Sequence, residues 1–149
     1  YYCSIKNGKR SIFFREIKGL KMIYGNGIDI IDINRIRSVI NKYGNRFKKR
    51  CFSILEIERS EKRSNSVESY AKRYAAKEAC AKALGTGLAR GVFWKDIEVV
   101  NNQYGKPFIK LHGVAKEIFK NMTKTSNPQV EISLSDEKKY AIANVIIYD

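Results

Sequence analysis

The chain has 149 residues, 44% of them hydrophobic and 30% charged, and its formal net charge is +14. That length and apolar content suit one compact domain with its own core and exclude bulk disorder. Lys or Arg interrupts every apolar stretch well short of the roughly 18–20 residues that cross a bilayer, and nothing at the start reads as a secretory signal.

Residues 1–21 hold six basic side chains and one acid, so +5 of the +14 lies there and +9 remains for the body. A body this basic suits an anionic partner: nucleic acid, an acidic protein surface or a polyphosphate cofactor. Met22 opens a different style of sequence. The upstream piece reads as a targeting segment, an added leader, or a hairpin turning at Asn7-Gly8 between Tyr1–Ile5 and Arg10–Phe14. Ile23–Ile31 reads as a strand, with Gly25 and Gly27 as bulge or close-approach positions. Asp32 caps a helix over Asn34–Tyr43, and Ser53-Ile54-Leu55-Glu56 is a capping box for a short helix toward Arg63. A strong helix runs from Val67 to Leu84 and stops at Gly85.

Beyond it, Ile97–Val100 and Pro107–Leu111 form a hairpin around the turn Asn101–Gly105. A brief helix covers Gly113 to Asn121, and Lys124–Pro128 is a loop. Val130, Ile132 and Leu134 alternate with polar residues as a half-buried strand. Asp136–Lys139 turns, and Tyr140–Tyr148 pairs back. Hairpins imply antiparallel pairing, so the expected class is α+β: an antiparallel sheet against a long central helix and shorter helices. The three cysteines, Cys3, Cys51 and Cys80, are far apart and have one His, His112, to help them. They read as reduced small hydrophobes rather than as zinc ligands or nucleophiles.

Two residues break the apolar pattern. In the central helix, Val67, Tyr70, Ala71, Tyr74 and Ala81 fall within about 50° of one line, and Glu78 lies inside that stripe. An ionisable group on a packing face costs several kcal/mol unless it is paired or binds a metal. One account is a Glu78–Lys82 ion pair at helix spacing. In the first strand, Asp29 interrupts Ile28-Asp29-Ile30-Ile31 and points opposite Ile28 and Ile30. Either Asp29 faces solvent on an edge strand, or Asp29 and Glu78 meet across the strand–helix packing. Two carboxylates meeting in a protected site need a cation between them, and Mg²⁺, which accepts one or two carboxylates and keeps waters, suits that role. Gly85-Thr86-Gly87 and Gly105-Lys106-Pro107 are glycine turns able to approach an anion, although Gly85 also serves as a plain helix cap.

Gly27-Ile28-Asp29-Ile30 followed by Asn34-Arg35-Ile36 resembles the first motif of the holo-acyl-carrier-protein synthases. Arg73-Tyr74-Ala75-Ala76-Lys77-Glu78-Ala79, running on through Lys82-Ala83-Leu84-Gly85-Thr86-Gly87, is similar to that family's central signature. Asp96-Ile97-Glu98-Val99, the Gly105-Lys106-Pro107 turn and the closing Ser133-Leu134-Ser135 strand also match. The resemblance spans Met22 to Asp149, which divides the chain into an N-terminal extension (1–21) and a transferase domain (22–149).

The resemblance implies a phosphopantetheinyl transferase that uses Mg²⁺ and coenzyme A and acts on an acidic acyl carrier protein in fatty acid biosynthesis. It implies metal binding by Asp29 and Glu78, with Lys82 at the phosphates, so Asp29, Glu78 and Lys82 form the catalytic set. It implies a coenzyme A pocket of Arg73, Lys82, Gly85, Thr86, Lys106, Pro107 and Ser135. Carrier docking falls to Arg35 and Arg37 on the basic first helix. The carrier serine would attack the pantetheine-side phosphorus and release adenosine 3′,5′-bisphosphate, with Glu78 or a water on the metal taking the proton. The family's short synthases are homotrimers with interfacial sites, which implies the same here, in a bacterial-type cytoplasm or in an organelle of bacterial origin. Asp136 stands where many members have His, and an Asp cannot be a cationic phosphate contact.

Two other classes compete. A small nucleic-acid-binding protein would account for the charge and the aromatics, and would show a steep salt slope on DNA or RNA. A non-catalytic carrier-binding protein on the same fold would lack turnover. The intact Asp29, Glu78 and Lys82 set argues against the latter, and the fold implied above carries neither membrane nor nucleic-acid partners.

Overall fold

The computed structural model describes residues 3–6, 9–12, 22–123 and 125–149. Two short strands, β1 (Cys3–Lys6) and β2 (Lys9–Ile12), pair antiparallel with Lys6 opposite Lys9. The Asn7-Gly8 turn of the expected hairpin, its outer ends at Tyr1 and Phe14, and Lys124 of the expected loop lie outside the described residues.

The body follows the order read from the sequence. It comprises β3 (Ile23–Asp32), α1 (Ile33–Cys51), α2 (Ile54–Glu61), α3 (Ser66–Ala83), a 3-10 turn (Trp94–Asp96), β4 (Ile97–Asn101), β5 (Pro107–Leu111), α4 (Gly113–Thr123), β6 (Gln129–Glu137) and β7 (Tyr140–Tyr148). The main sheet is antiparallel in the order β3-β7-β6, and β4-β5 form a separate hairpin. This is the expected α+β arrangement, with α3 packed on one face of the main sheet.

Local chemistry sets the boundaries. Asp32 Oδ1 accepts from the Asn34 amide and caps α1. That helix runs on past the expected end at Tyr43 to Cys51, because Gly44 takes a positive φ of 49° and kinks the chain without ending it. Ser53 and Glu56 close a reciprocal capping box on α2. Gly85 (φ 75°) ends α3 in the left-handed conformation that only a residue without Cβ adopts cheaply. The last turn is tighter than expected: β6 continues to Glu137, leaving Lys138 and Lys139 as a two-residue connection.

Alanine lets α3 sit close to the sheet. Ala71, Ala75, Ala79 and Ala83 are buried, and Ala141, Ala143, Val145 and Ile147 of β7 are buried with them. On β3 the glycines matter for the same reason. A Cβ at Gly25 would overlap the Ala83 carbonyl oxygen, and one at Gly27 the Ala79 carbonyl oxygen. The strand therefore lies directly on the last two turns of α3, which sets Asp29 beside Glu78 and Lys82.

Candidate active site

Alternation along β3 puts Asp29 and Ile28/Ile30 on opposite faces as expected, but the faces are reversed from the ordinary arrangement. Ile28 and Ile30 are each 60% exposed, while the Asp29 side chain is 17% exposed and turned to α3. Of the two accounts for Asp29, the meeting across the strand–helix packing is the one the structure realises.

On α3, Tyr74, Glu78 and Lys82 succeed one another at i, i+4 and share one face. The Glu78–Lys82 ion pair does not form. The Lys82 ammonium instead crosses to β3, donating to Asp29 Oδ1 at 2.8 Å and to the Ile28 carbonyl at 3.0 Å. Glu78, half-buried, accepts no hydrogen bond from the described residues. Burial first, and then the negative charge of Asp29, push its carboxyl above the usual carboxylate range, against the smaller pull of Lys82 and Arg35. The Tyr74 phenol beside it is pushed up to about 12, again mainly by burial, with its ring packed on Trp94 at 4.4 Å. Two carboxylates, a lysine and an arginine thus meet at one exposed edge, with Glu78 poorly compensated.

The fully buried ionisable group on α3 is Lys77, one residue earlier, which pattern reading missed. Its ammonium is 0% exposed. It donates to Glu56 Oε2 and the Trp94 carbonyl, each at 2.9 Å, and to the Ile97 carbonyl. Glu56 also accepts from the Ser53 and Val99 amides. Because α3 is buried on nearly every side, no single stripe marks its core face, and a 3.6-residue period had nothing to separate Lys77 from its neighbours.

The other expected site residues divide. Gly85 and Thr86 follow the end of α3 near Lys82, and the amides of Thr86 and Gly87 both donate to the Ala81 carbonyl. The loop is thus a helix cap whose donors are already used, in keeping with the plainer reading of Gly85. Arg73 and Pro107 instead line a separate cavity of about 320 Å³ beyond the start of α3. No residue of the Asp29–Glu78 group lines it.

Arg73 is 6% exposed. It donates to Ser69 and Asn101, while its Nε finds no partner among the described residues. Burial, with the charges of Arg59 and Arg63, lowers its pKa. Arg59 and Arg63, which sequence reading also missed, line the same cavity, as do Lys72 and Asp136, joined at 2.6 Å. Spaced four apart toward the end of α2, these arginines look like an ordinary solvated face until the fold closes over them. Lys106 is held by Glu131 at 2.9 Å, and Ser135 is exposed on the outer sheet face opposite Ile142.

Arg35 and Arg37 of α1 are two residues apart, about 200° around the helix. Arg35 is the one whose charge reaches Glu78, while Arg37 bonds Glu68 at 3.3 Å. Cys51 and Cys80 are free and buried, and burial pushes their thiols up to about 11 and about 12. No group of three or more His, Cys, Asp or Glu gathers among the described residues, so an all-protein zinc cage is absent from them. No helix among the described residues is long and apolar enough to cross a membrane.

Comparison with known proteins gives a consistent result. Residues 25–145 match the model of the 4′-phosphopantetheinyl transferase superfamily. A holo-[acyl-carrier-protein] synthase from Rhizobium leguminosarum bv. trifolii is 50% identical over 127 residues, covering 85% of this chain and 95% of the relative. One from Brucella ovis is 47% identical over the same share of each chain. Among solved structures, the Neisseria meningitidis holo-[acyl-carrier-protein] synthase superimposes with a TM-score of 0.74 at 35% identity, covering 85% of this chain and 98% of that one. A Helicobacter pylori holo-[acyl-carrier-protein] synthase in complex with coenzyme A does so with 0.68 at 32% identity, covering 82% and 98%.

Proposed function

The chain belongs to the 4′-phosphopantetheinyl transferase superfamily, and on that premise we propose that it is a holo-acyl-carrier-protein synthase. It moves 4′-phosphopantetheine from coenzyme A to a serine of an apo acyl carrier protein and releases adenosine 3′,5′-bisphosphate, in support of fatty acid biosynthesis. Residues 22–149 form the catalytic domain, with 1–21 as an extension outside it. The observation that carries this reading is the meeting of Asp29 with Glu78 and Lys82 at the sheet–helix contact.

The donor set fits Mg²⁺. It is all oxygen and offers two carboxylates, one of them raised by burial and by its neighbour and without a hydrogen bond from the described residues. That is the number Mg²⁺ takes from protein when it keeps waters and substrate phosphate oxygens for the rest. Bound between Asp29 and Glu78, the ion would supply charge neutralisation and alignment for the diphosphate. The remaining work falls to side chains. Lys82, tethered to Asp29 and the Ile28 carbonyl yet half exposed, has one proton left to donate to the departing bisphosphate. The serine proton would pass to a Glu78 oxygen that the ion leaves free or to a water beside it. Phosphoryl transfer asks the protein mainly for positioning and charge.

The coenzyme A residues fall into two groups on one chain: Lys82, Gly85 and Thr86 at one end of α3, Arg73, Lys106, Pro107 and Ser135 toward the other. Two features support a homotrimer that unites such groups across subunits. Each chain carries only separated halves of the set, and the outer sheet face exposes Ile28, Ile30, Ile142 and Tyr140, with none of the described residues covering them. The acidic carrier docks on α1 at Arg35. Arg37 joins it only by leaving Glu68. The bacterial relatives and the absence of a membrane-crossing helix among the described residues support a cytoplasmic setting.

The test is mass spectrometry of apo carrier proteins after incubation with coenzyme A, Mg²⁺ and this protein. A phosphopantetheine mass gain that needs all three is expected. No gain on several apo carriers sinks the reading.

A further inference from the structure

A second cavity, of about 690 Å³, lies away from Asp29, Glu78 and Lys82, and meets the other group of site residues only at its edge, where Lys106 bonds the lining residue Glu131. Its origin is topological. Strands β5 and β6 are neighbours in space but belong to different sheets, so no ladder of hydrogen bonds closes the gap between them, and residues of α4 complete its lining. Leu111 of β5, Phe119 of α4, Pro128 and Val130 give the slot apolar walls. Lys116 and Lys120, one turn apart on α4, stand at its rim. Both are exposed, and neither forms an ion pair with a described residue. Glu131, the carboxylate in the lining, is already held by Lys106, so it opposes an anion at the mouth only weakly.

We propose that this slot is a binding site for a medium-chain fatty acid, with the tail between β5 and β6 and the carboxylate on Lys116 and Lys120. The volume lies within the roughly 300–1,000 Å³ of small-molecule sites, and apolar walls interrupted by a few polar groups, here Thr123, Thr125 and Gln129 besides the lysines and Glu131, are their usual form. The two unpaired ammoniums select an anionic head over a neutral or cationic one. Separation from Asp29 and Glu78 makes the site independent of the transferase reading.

Calorimetric titration of the full chain with dodecanoate below its micelle concentration tests this. One saturable site per chain is expected, with no binding of butyrate, which lacks the tail, or of dodecyltrimethylammonium, which reverses the head. Lys116→Gln with Lys120→Gln is expected to weaken binding about tenfold, while Asp29→Ala leaves it unchanged. Both lysines are exposed, so folding survives the change, and an unaltered melting temperature checks that it has. A diazirine-bearing fatty acid is expected to label peptides of 107–111, 113–123 or 128–131. Non-saturating uptake, equal binding of the cationic surfactant, indifference to the lysine pair, or labelling confined elsewhere would each overturn the proposal.

Discussion

Lys77 and Glu78 are consecutive residues of one helix, and they meet opposite fates. Lys77 is wholly buried and wholly partnered: a carboxylate and two carbonyls take its three protons, and the carboxylate is itself held by two backbone amides. Glu78 is only half-buried, yet it is the less well served, facing a like charge at Asp29 and accepting no hydrogen bond from the described residues. The difference teaches that burial alone does not mark a working group. A buried charge whose every donor is used holds α2, α3 and β4 together. A carboxylate left facing another carboxylate at an open edge is waiting for a cation.

The comparison breaks first at its structural end. Lys77→Met leaves Glu56 charged and buried, and is expected to cost about 3–5 kcal/mol of stability by urea unfolding. Pairing it with Glu56→Leu removes the orphaned charge and is expected to recover most of that loss. At the functional end, Asp29→Ala or Glu78→Ala is expected to lower turnover of apo carrier by about 10²–10³-fold, or about 2.7–4 kcal/mol in the barrier, with the fold intact by circular dichroism. Gly27→Ala tests the close approach that joins the two ends. Pushing β3 off the Ala79 carbonyl is expected to cost about 1–3 kcal/mol and to weaken the metal response with it.

The smallest effect carries the sharpest sign. The folded-state pKa of Glu78 is raised, so the folded protein favours the neutral carboxyl. The stability this contributes is fully present below the unfolded value of 4.5 and is lost as pH rises through the folded one. At neutral pH Glu78→Gln is therefore expected to raise the melting temperature slightly while lowering transfer as Glu78→Ala does, and a lowered melting temperature would place Glu78 with Lys77 as a structural charge.

Much of the fold was legible because each boundary has a local cause. Asp32, the Ser53–Glu56 box and Gly85 act within one turn of where they stand. The site was legible where a charge interrupted an apolar run, as Asp29 does; the stripe that singled out Glu78 is instead the more open side of α3, where Val67 and Tyr74 are only partly buried and Ala75, Ala76, Ala79 and Ala83 form the packed side. What stayed hidden depended on tertiary closure. Lys82 chose Asp29 over Glu78 because β3 lies on α3 through two glycines, a contact that helix spacing alone does not contain. Arg59, Arg63 and Lys72 acquire a common cavity only when α2, β5 and β6 converge. Lys77 was invisible because an alanine-rich helix buried all round has no polar face to contrast with.

Direct titration of Mn²⁺, as a spectroscopic stand-in for Mg²⁺, with coenzyme A present tests the central claim. The account predicts one divalent site per chain that Mg²⁺ displaces and that Asp29→Asn and Glu78→Gln each remove. A site of unchanged affinity in both variants would contradict it.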